Sequence, residues 1–329
     1  MKTIRWGLLS TANINRRVIP AIRQSARGEL VAVASRSEDS AVTYAKEWDI
    51  PQTFASYDAM LQSDAVDAVY IGLPNHLHAD WAIEAMRHSK HVLCEKPFAL
   101  TVEDVDRMTA VAKETGMVLA EAFMYRHHPQ TKLIGEWVHN GRLGEIQRME
   151  ANFSFALTFR NNIRLEPKYG GGSLWDVGVY PVSLAQYVMG EIPSSVFGHA
   201  VLGETGVDEQ FVGQMHYSSG RVAQFSSSFQ LPYHTEAQIF GTNGRLVITR
   251  PFTNIYPPES TVTFYPADGK PQSLAVPEEY LYLGEVRDMH DAILDGKSNY
   301  LTWEETRNHI RTVLKLYESA ERGTAVTMD

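Results

Sequence analysis

The most constraining feature of this sequence is a regular alternation of short apolar segments with helical patterns over its first third. Apolar runs typical of strands cover residues 3–9, 30–35, 68–72, 91–94 and 118–121. Helical patterns lie between them at residues 14–25, 40–48, 79–88 and 102–115. This alternation predicts the α/β class, with a doubly wound parallel sheet. Such sheets bind ligands beyond the carboxyl ends of their strands.

The pattern changes after about residue 124. A helical pattern at residues 130–138 precedes a stretch from about residue 145 to 275 that is rich in β-branched and aromatic residues. Within it, Asn243-Gly244 separates two apolar runs and is typical of a hairpin. Further helices are predicted at residues 173–189, 283–294 and 303–321. We therefore predict a first domain over residues 1–124 and a second over residues 125–329, the latter α+β with an open, mostly antiparallel sheet.

Composition excludes several classes of protein. The single cysteine, Cys94, rules out an intramolecular disulfide framework and indicates a reducing compartment. No apolar run approaches the roughly 18 residues that a membrane span requires. The net charge of -9 argues against binding to nucleic acid, which needs a basic face. We expect a cytoplasmic protein without a nucleic-acid or membrane partner.

The turn after the first strand is a degenerate dinucleotide-binding fingerprint. Ser10, Ala12 and Asn15 align with its three usual glycines. Small residues allow backbone N–H groups to approach a pyrophosphate at a helix N-terminus. Alone, the pattern is equally compatible with a tight strand–helix turn that binds nothing. The cofactor contacts predicted here are Ser10, Thr11, Ala12, Asn13 and Ile14.

The end of the second strand bears on the choice between NAD and NADP. An NAD site usually places an acidic residue there to bind the ribose 2′-hydroxyl. This chain has Ser35, Arg36 and Ser37, and Arg36 could pair with a 2′-phosphate. Glu38 and Asp39 follow closely and argue for NAD, and Arg36 could also be a solvated surface residue. We predict NADP, with NAD the less favoured cofactor.

A third strand end carries residues suited to the nicotinamide ribose. The predicted contacts are Leu73, Pro74, Asn75 and His78. A metal site at His76 and His78 is not supported, because no carboxylate or cysteine set stands nearby in sequence. Helix capping or packing is the alternative for both histidines, and no metal is predicted.

Two further segments carry a family resemblance. Glu95-Lys96-Pro97 follows the fourth strand, and Gly-Gly-Gly-Ser-Leu-Trp-Asp-Val-Gly-Val-Tyr-Pro begins at Gly170. Together they resemble the glucose–fructose oxidoreductase/inositol dehydrogenase (Gfo/Idh/MocA) family over essentially the full length. The Asp-Val-Gly-Val-Tyr-Pro segment and Glu121–Arg126 are similar to the branch of dimeric dihydrodiol dehydrogenases and NADP-dependent D-xylose dehydrogenases. Inositol-type members have histidine where this chain has Tyr180.

The resemblance implies a Rossmann domain and an oxidoreductase whose catalytic residues are Lys96, Tyr180 and Asp176. Oxidation of an alcohol requires removal of the hydroxyl proton, and an ammonium near a tyrosine lowers the pKa of the phenol. Tyr180 is therefore the expected base, tuned by Lys96. Asp176 lies four residues before Tyr180, on the same helix face. It is either a structural anchor or a participant in proton transfer. Glu95 and Ala122 are expected at the cofactor.

Substrate contacts are predicted with less support from the pattern. Tyr125 and Arg126 follow the last strand of the first domain, and Phe155, Phe159 and Arg160 are placed on one long strand. Trp175 completes the set, and core packing explains the aromatic residues equally well. Tyr282 and Glu285 match a family Tyr-x-x-Glu pattern, for which we expect a structural role.

Several functions remain open at this level. The leading hypothesis is an NADP-dependent dehydrogenase of a sugar, polyol or cyclic diol. The alternatives are a keto-sugar reductase of the anhydrofructose type, an aldose–aldose oxidoreductase that does not release NADP, and an NAD(P)-sensing regulator without turnover. An open sheet usually covers its exposed face, so a homodimer or higher homo-oligomer through the second-domain sheet is expected.

Overall fold

A computed structural model describes residues 2–253 and 260–328 of the chain. The chain divides into two compact units. The first consists of Met1–His127 and Tyr280–Arg307, and the second of His128–Glu279 and Asn308–Asp329. The division into functional domains at residue 124 stays a prediction, and the first unit also takes in a segment from near the end of the sequence.

The first unit contains one sheet and the helices that cover it. Its strands are β1 (Ile4–Leu9), β2 (Gly28–Ala34), β3 (Gln52–Phe54), β4 (Ala68–Ile71), β5 (His91–Glu95) and β6 (Leu119–Ala122). Its first helices are α1 (Asn15–Gln24), α2 (Glu38–Trp48), α3 (Tyr57–Leu61), α4 (His78–Arg87), α5 (Val102–Thr115) and α6 (Met124–His127). The short β3 and α3 were not predicted from the apolar pattern.

The six strands pair in the order β3-β2-β1-β4-β5-β6, and every pair is parallel. Trp6, Leu8, Val33, Val69 and Ile71 are completely buried in this sheet. Burial on both faces explains why the strands appear in the sequence as apolar runs rather than as alternating patterns. The predicted doubly wound sheet is confirmed.

Local signals in the sequence set the ends of α5. The Thr101 hydroxyl accepts a hydrogen bond from the main-chain N–H of Asp104 at 3.0 Å and so caps the first turn. Gly116, with φ of 71°, adopts the left-handed conformation that commonly ends a helix. The helix bounds predicted from the sequence, residues 102–115, are those of the structure.

The second unit is built on a larger sheet. Its strands are β7 (Ile146–Ser154), β8 (Ser195–Leu202), β9 (Asp208–His216), β10 (Val222–Ser228), β11 (His234–Gly241), β12 (Gly244–Thr249), β13 (Val262–Pro266), β14 (Gln272–Leu274) and β15 (Val326–Thr327). Its helices include α7 (Pro129–His139) and α8 (Val179–Met189). The strand order is β14-β13-β12-β11-β7-β10-β9-β8-β15.

Only β7 and β10 pair in parallel in this sheet among the described strands, and the remaining pairs are antiparallel. The predicted hairpin at Asn243-Gly244 joins β11 to β12, where Gly244 has φ of 145°. The open, mostly antiparallel sheet is thus confirmed. Residues 254–259 of the predicted strand-rich stretch lie outside the described residues.

The helix predicted at residues 173–189 has two parts. Leu174–Gly178 forms a single π-helical stretch that continues directly into α8. The apolar pattern alone does not distinguish π from α geometry over five residues. Two last helices, α9 (Leu283–Asp295) and α10 (Trp303–Arg322), lie close to their predicted bounds. Across residues 2–253 and 260–328, no helix has the length and apolar character needed to cross a membrane.

A buried histidine connects α9 to the sheet of the first unit. The indole N–H of Trp6 donates to Nε2 of His290 at 2.8 Å, and Nδ1 of His290 lies 3.0 Å from the Ser25 hydroxyl. Because an indole only donates, Nε2 is unprotonated and Nδ1 carries the proton. Burial, assisted by the nearby positive charge of Arg27, lowers the pKa of His290 to about 4.

This histidine predicts a specific loss of stability in acid. An unfolded histidine has a pKa of about 6.5, so the unfolded chain binds the additional proton first as the pH falls from about 6.5 towards 4. The free energy of unfolding should decrease by about 3 kcal/mol over that window from this residue alone. Denaturant titrations at pH 7, 5 and 4 measure it. In His290→Gln this part of the pH dependence should disappear, whereas the exposed His234→Gln should retain it. Equal slopes in His290→Gln and the unmodified protein would contradict the assignment.

Candidate active site

The sheet order of the first unit reverses direction between β1 and β4, and the turns after these two strands lie side by side. Ser10 follows β1 with φ of 109°, a conformation uncommon for a residue other than glycine. Its hydroxyl donates to the Gly72 carbonyl at 3.3 Å and accepts from Ala12 N–H at 3.2 Å. The Asn15 amide donates to the Ser10 carbonyl at 2.8 Å. These bonds hold a tight turn at the start of α1.

The same turn leaves no room for larger side chains. A Cβ atom added to Gly72 would lie 3.0 Å from Oδ1 of Asn15 and 3.1 Å from the Ile14 side chain. Thr11, Ala12 and Asn13 are partly or fully exposed beside it. A helix N-terminus with exposed main chain and small residues is the arrangement that binds a pyrophosphate. The residues present therefore fit a dinucleotide.

The residues at the end of β2 serve partly in local structure. The Ser35 hydroxyl accepts from Ser37 N–H at 3.3 Å, and the Ser37 hydroxyl caps α2 by accepting from Ser40 N–H at 3.4 Å. Arg36 is exposed and lies beside the Tyr57 hydroxyl, where its charge opposes the increase that burial causes in the pKa of Tyr57. Arg36 is thus available to a ligand.

A shallow groove begins beside this position. It measures about 340 Å³ and is lined by Thr11, Asp39, Ser40, Thr43, Tyr44 and Glu47. Asp39 and Glu38 occupy the first turn of α2, where a carboxylate is favoured by the helix dipole. Stabilisation of the helix N-terminus is therefore sufficient to explain both acidic residues.

His78 joins two loops at the carboxyl edge of the sheet. Its Nδ1 lies 2.8 Å from the Pro97 carbonyl, and its Nε2 lies 2.8 Å from the Leu73 carbonyl. The side chain is fully buried, and burial lowers its pKa against the opposing effect of the two carbonyls. A direct cofactor contact by His78 was predicted, but both of its ring nitrogens are engaged with main chain. Pro74 and Asn75 are partly exposed next to it.

Glu95 and Lys96 lie at the end of β5. The carboxylate of Glu95 is 8% exposed, and it accepts hydrogen bonds from the Tyr70 hydroxyl and, at 3.1 Å, from Lys96 N–H. Tyr70 comes from the neighbouring β4, which pairs in register with β5. Lys96 is partly exposed, and its peptide bond to Pro97 is cis. Tyr70 is a partner of this site that the residue pattern alone does not identify.

Two buried carboxyl groups lie behind the strand ends of the first unit. Burial raises the pKa of Glu121 to about 7 and, together with the charge of Glu95, raises the pKa of Glu285 well above its ordinary value. Both line a small cavity of about 10 Å³. Neither oxygen of the Glu285 carboxyl has a hydrogen-bond partner within the described residues. A structural role was expected for Tyr282 and Glu285. That expectation did not predict that Glu285 and Glu121 line one cavity.

The residues after β6 are enclosed. Ala122 and Tyr125 are buried, and Arg126 is 2% exposed and forms an ion pair with Glu305 at 2.5 Å. His127 pairs with Asp288 at 2.6 Å. Tyr125 and Arg126 therefore have packing and ion-pair roles within the first unit, and their contact with substrate stays a prediction.

In the second unit, a buried aspartate organises the entry to the π-helical segment. Asp208 accepts from the Ser173 hydroxyl and from Leu174 N–H, both at 2.8 Å, and from the Tyr317 hydroxyl at 2.7 Å. Burial raises the pKa of Asp208 to about 6 despite these bonds. Gly172 lies against this carboxylate, since a Cβ added there would be 2.2 Å from Oδ1 of Asp208. The glycine run is therefore required by the helix entry.

Asp176 and Tyr180 extend from the helix that follows. The guanidinium of Arg164 bonds to Asp176, with Nε 2.6 Å from Oδ2. The charge of Asp176, with Tyr180 contributing, raises the pKa of Arg164. Tyr180 is 5% exposed and its ring packs against Phe153 and Phe252, with centroids 5.4 and 5.6 Å away. The structure thus places a cation near Tyr180 that the sequence did not reveal.

Two further residues of this helix are enclosed. Trp175 is 8% exposed and packs against Tyr317 at 5.8 Å. A Cβ added to Gly178 would lie 2.7 Å from Leu174 and 3.0 Å from Ser227 on β10. Tight packing against the sheet is therefore sufficient to explain a glycine at this position in the helix.

The predicted strand through Phe155, Phe159 and Arg160 is wrong. β7 ends at Ser154. The segment that follows is irregular, although Phe155 N–H still donates to the Ser228 carbonyl at 3.0 Å. Phe159 is 79% exposed, and Arg160 pairs with the buried carboxylate of Glu209 at 2.5 Å. Aromatic residues favoured a strand by propensity, but the neighbouring strands β10 and β11 pair with β7 only as far as Ser154.

Known proteins share this architecture. Residues 4–123 match a family model described as the oxidoreductase family with an NAD-binding Rossmann fold, GFO_IDH_MocA, and residues 131–247 match the GFO/IDH/MocA C-terminal domain. D-xylose 1-dehydrogenase (NADP(+)) 2 of Haloferax volcanii is 38% identical over 98% of this chain and 99% of its own. The 1,5-anhydro-D-fructose reductase of Ensifer adhaerens is 31% identical over 99% and 98% of the two chains.

A solved structure extends the likeness to three dimensions. A 3-ketoreductase from Actinomadura kijaniata, in complex with NADP and TDP-benzene, superposes with a TM-score of 0.90 at 30% identity, covering 97% of this chain and 98% of its own. The family expected from the sequence is confirmed: the chain belongs to the Gfo/Idh/MocA oxidoreductases.

Proposed function

We propose that this protein transfers hydride, with NADP as cofactor, between the nicotinamide and a hydroxyl-bearing or carbonyl carbon of a sugar, polyol or cyclic diol. The proposal rests on two places in the structure where a family motif coincides with side chains that are held in position. Glu95 ends β5 and Lys96 follows it, in the parallel sheet that also carries the β1–α1 turn, and Asp176 and Tyr180 extend from an anchored helix. Relatives that act on sugars with NADP support the same assignment.

When bound, the dinucleotide supplies a nicotinamide ring as acceptor or donor of hydride. The chain supplies the remaining chemistry. In oxidation, the Tyr180 phenolate oxygen takes the proton of the substrate hydroxyl. The hydrogen on the carbon that bears this hydroxyl leaves as hydride, so that a carbonyl forms. In reduction, the Tyr180 hydroxyl returns that proton to the carbonyl oxygen. We assign Lys96 to polarising the substrate oxygen.

Asp176 has a supporting role in this scheme. Its carboxylate is bonded to Arg164, and the side chain is only 16% exposed. We propose that Asp176 binds the substrate and stabilises this face of the helix, and that it does not transfer the proton. Glu95 is assigned to the nicotinamide ribose, because its carboxylate lies at the strand end beside Lys96. His78 is assigned to positioning, since its ring holds the two cofactor loops together.

The direction of the reaction distinguishes the remaining alternatives. Relatives include both a dehydrogenase and reductases of keto-sugars. A panel of aldoses, polyols, dihydrodiols and keto-sugars, assayed with NADP and NADPH, decides among them. Retention of NADP through dialysis would favour an aldose–aldose oxidoreductase. Absence of turnover with the whole panel would favour a sensor and contradict the proposal.

The catalytic assignment predicts large losses from small changes. Tyr180→Phe keeps the aromatic ring but removes the transferable proton, and should decrease kcat by about 10²- to 10⁴-fold. Lys96→Met removes the charge and should also decrease kcat. Matched controls are Tyr265→Phe on β13 and Lys113→Met on α5, which should leave kcat unchanged. Unchanged kcat in both Tyr180→Phe and Lys96→Met would exclude these roles.

Arg36 predicts the cofactor preference. Arg36→Ala removes the guanidinium that would bind the 2′-phosphate, so the KM for NADP should increase by about 10- to 100-fold. The KM for NAD, which lacks that phosphate, should change little. Arg87→Ala, on the exposed end of α4, is the control. Equal increases for NAD and NADP would argue against a 2′-phosphate contact at Arg36.

Assembly and location complete the proposal. We assign the protein to the cytoplasm, because a single cysteine, here buried and without a disulfide, is typical of proteins from a reducing compartment. We propose a homodimer through the open face of the second-unit sheet. Phe197, Val201 and Val212 on β8 and β9 expose apolar side chains there, with exposed fractions of 37%, 44% and 54%. Contiguous exposed apolar groups on one face are typical of an interface.

A charge on this face should disrupt the dimer. Val212→Glu would bury an unpaired carboxylate in the interface, which is strongly unfavourable. Sedimentation velocity should then detect monomers where the unmodified protein is dimeric. Val42→Glu, equally exposed on α2, should leave the dimer intact. A monomeric unmodified protein would refute the interface.

A further inference from the structure

Arg164 lies on a short 3₁₀ turn, Ile163–Leu165, whose main chain is fixed against the glycine run. Gly172 N–H donates to the Arg164 carbonyl at 2.9 Å. A Cβ added to Gly171 would lie 2.6 Å from the same carbonyl oxygen, so no larger residue fits between them. The Asn162 side chain accepts from Arg164 N–H at 3.1 Å. The backbone that carries this arginine is therefore held against the entry of the helix that bears Asp176 and Tyr180.

The side chain of Arg164 reaches the functional face of that helix. Its Nε lies 2.6 Å from Oδ2 of Asp176, a charge-assisted hydrogen bond. The Arg164 side chain is 41% exposed and that of Asp176 is 16% exposed, so the bond lies at the edge of solvent. Tyr180, four residues beyond Asp176, is close enough to interact electrostatically with the guanidinium. Arg164 thus faces both residues of the Asp-x-x-x-Tyr pair.

The surroundings of Tyr180 make this charge effective. Phe153 of β7 and Phe252 pack on its ring and carry no charge. The charged groups that face it from its own unit include Asp176 from the same helix and Arg164 from the 3₁₀ turn. Tyr180 itself is only 5% exposed, and a charge near a buried group acts more strongly than it would in water. A guanidinium stays protonated at every pH at which the enzyme would work.

We propose that Arg164 is a positioning residue for the reaction: it holds the Asp176 carboxylate and provides a fixed positive charge that favours the ionised form of Tyr180. This inference rests on the proposed function, in which Tyr180 moves the proton and Lys96 is a further cation. It also gives Asp176 a defined role, because the carboxylate becomes the anchor of the arginine. The glycine run serves the same purpose, since it admits the Arg164 backbone.

Ultraviolet difference titration tests the proposal without any substrate. Ionisation of Tyr180 is isolated by subtracting the titration of Tyr180→Phe from that of the unmodified protein. In Arg164→Gln, the midpoint of this ionisation should move to higher pH by about one unit, because a favourable cation has been removed. Arg164→Lys, which retains a positive charge, should recover part of the shift. Arg221→Gln is a matched control, since Arg221 pairs with Glu191 elsewhere in the same unit, and it should leave the midpoint unchanged.

Kinetics provide a second readout. In the oxidative direction, kcat for Arg164→Gln should decrease about tenfold at neutral pH and recover as the pH rises, because a larger fraction of Tyr180 becomes ionised. A purely structural role would instead decrease kcat by the same factor at every pH. The proposal is overturned if the Tyr180 midpoint does not move in Arg164→Gln, or if the loss of kcat is independent of pH.

Failure of the proposed function and failure of the proposed role of Arg164 give different experimental results. If no substrate of the panel is turned over, the proposed function fails, while the spectroscopic titration still measures whether Arg164 acts on Tyr180. If turnover depends on Tyr180 but its ionisation is insensitive to Arg164, the proposed function stands and the role of Arg164 is rejected.

Discussion

Parallel pairing of β1 with both β2 and β4 is the constraint on which the arrangement of the first unit depends. Parallel strands end at the same edge, so the residues that follow β1, β2, β4 and β5 meet there although they are far apart in sequence. The strand order reverses between β1 and β4, and sheets of this kind bind ligands beyond the strand ends at that point. Every cofactor contact assigned within this unit follows from that edge.

In the second unit, a buried carboxylate and a run of glycines hold the candidate residues in place. The entry to the helix that carries Asp176 and Tyr180 is held by the buried carboxylate of Asp208, which accepts hydrogen bonds there, and by glycines that allow close packing. Burial raises the pKa of Asp208, as it does for Glu121 in the first unit. Both carboxyls are thus held where ionisation is unfavourable, which is common behind functional sites.

The sequence predicted the layers of this protein better than its contacts. Strand–helix alternation was sufficient for the parallel sheet, because burial on both faces gives each strand an apolar run. The motifs containing Lys96 and Tyr180 were visible because their residue types and spacing are local. Arg164 and Asp208 were not visible, since their partners lie 12 and 34 or more residues away along the chain. Contacts of that kind depend on how the chain folds back on itself, which periodicity does not encode.

The strand predicted through Phe159 shows a related limit. Propensity favours an extended segment there, but a strand also needs a neighbour to pair with, and β10 ends at Ser228. The length of a strand depends on both segments that pair, whereas a local sequence pattern describes only one of them.

The bridge made by His78 connects two loops at the carboxyl edge of the sheet through a single proton. A neutral imidazole has one N–H, so it donates to the carbonyl of Leu73 or of Pro97 but not to both at once. Burial favours that neutral form. The ring therefore has two tautomers of similar geometry, and each secures one loop at the expense of the other. The tautomer of His78 therefore determines which of the two loops receives the hydrogen bond.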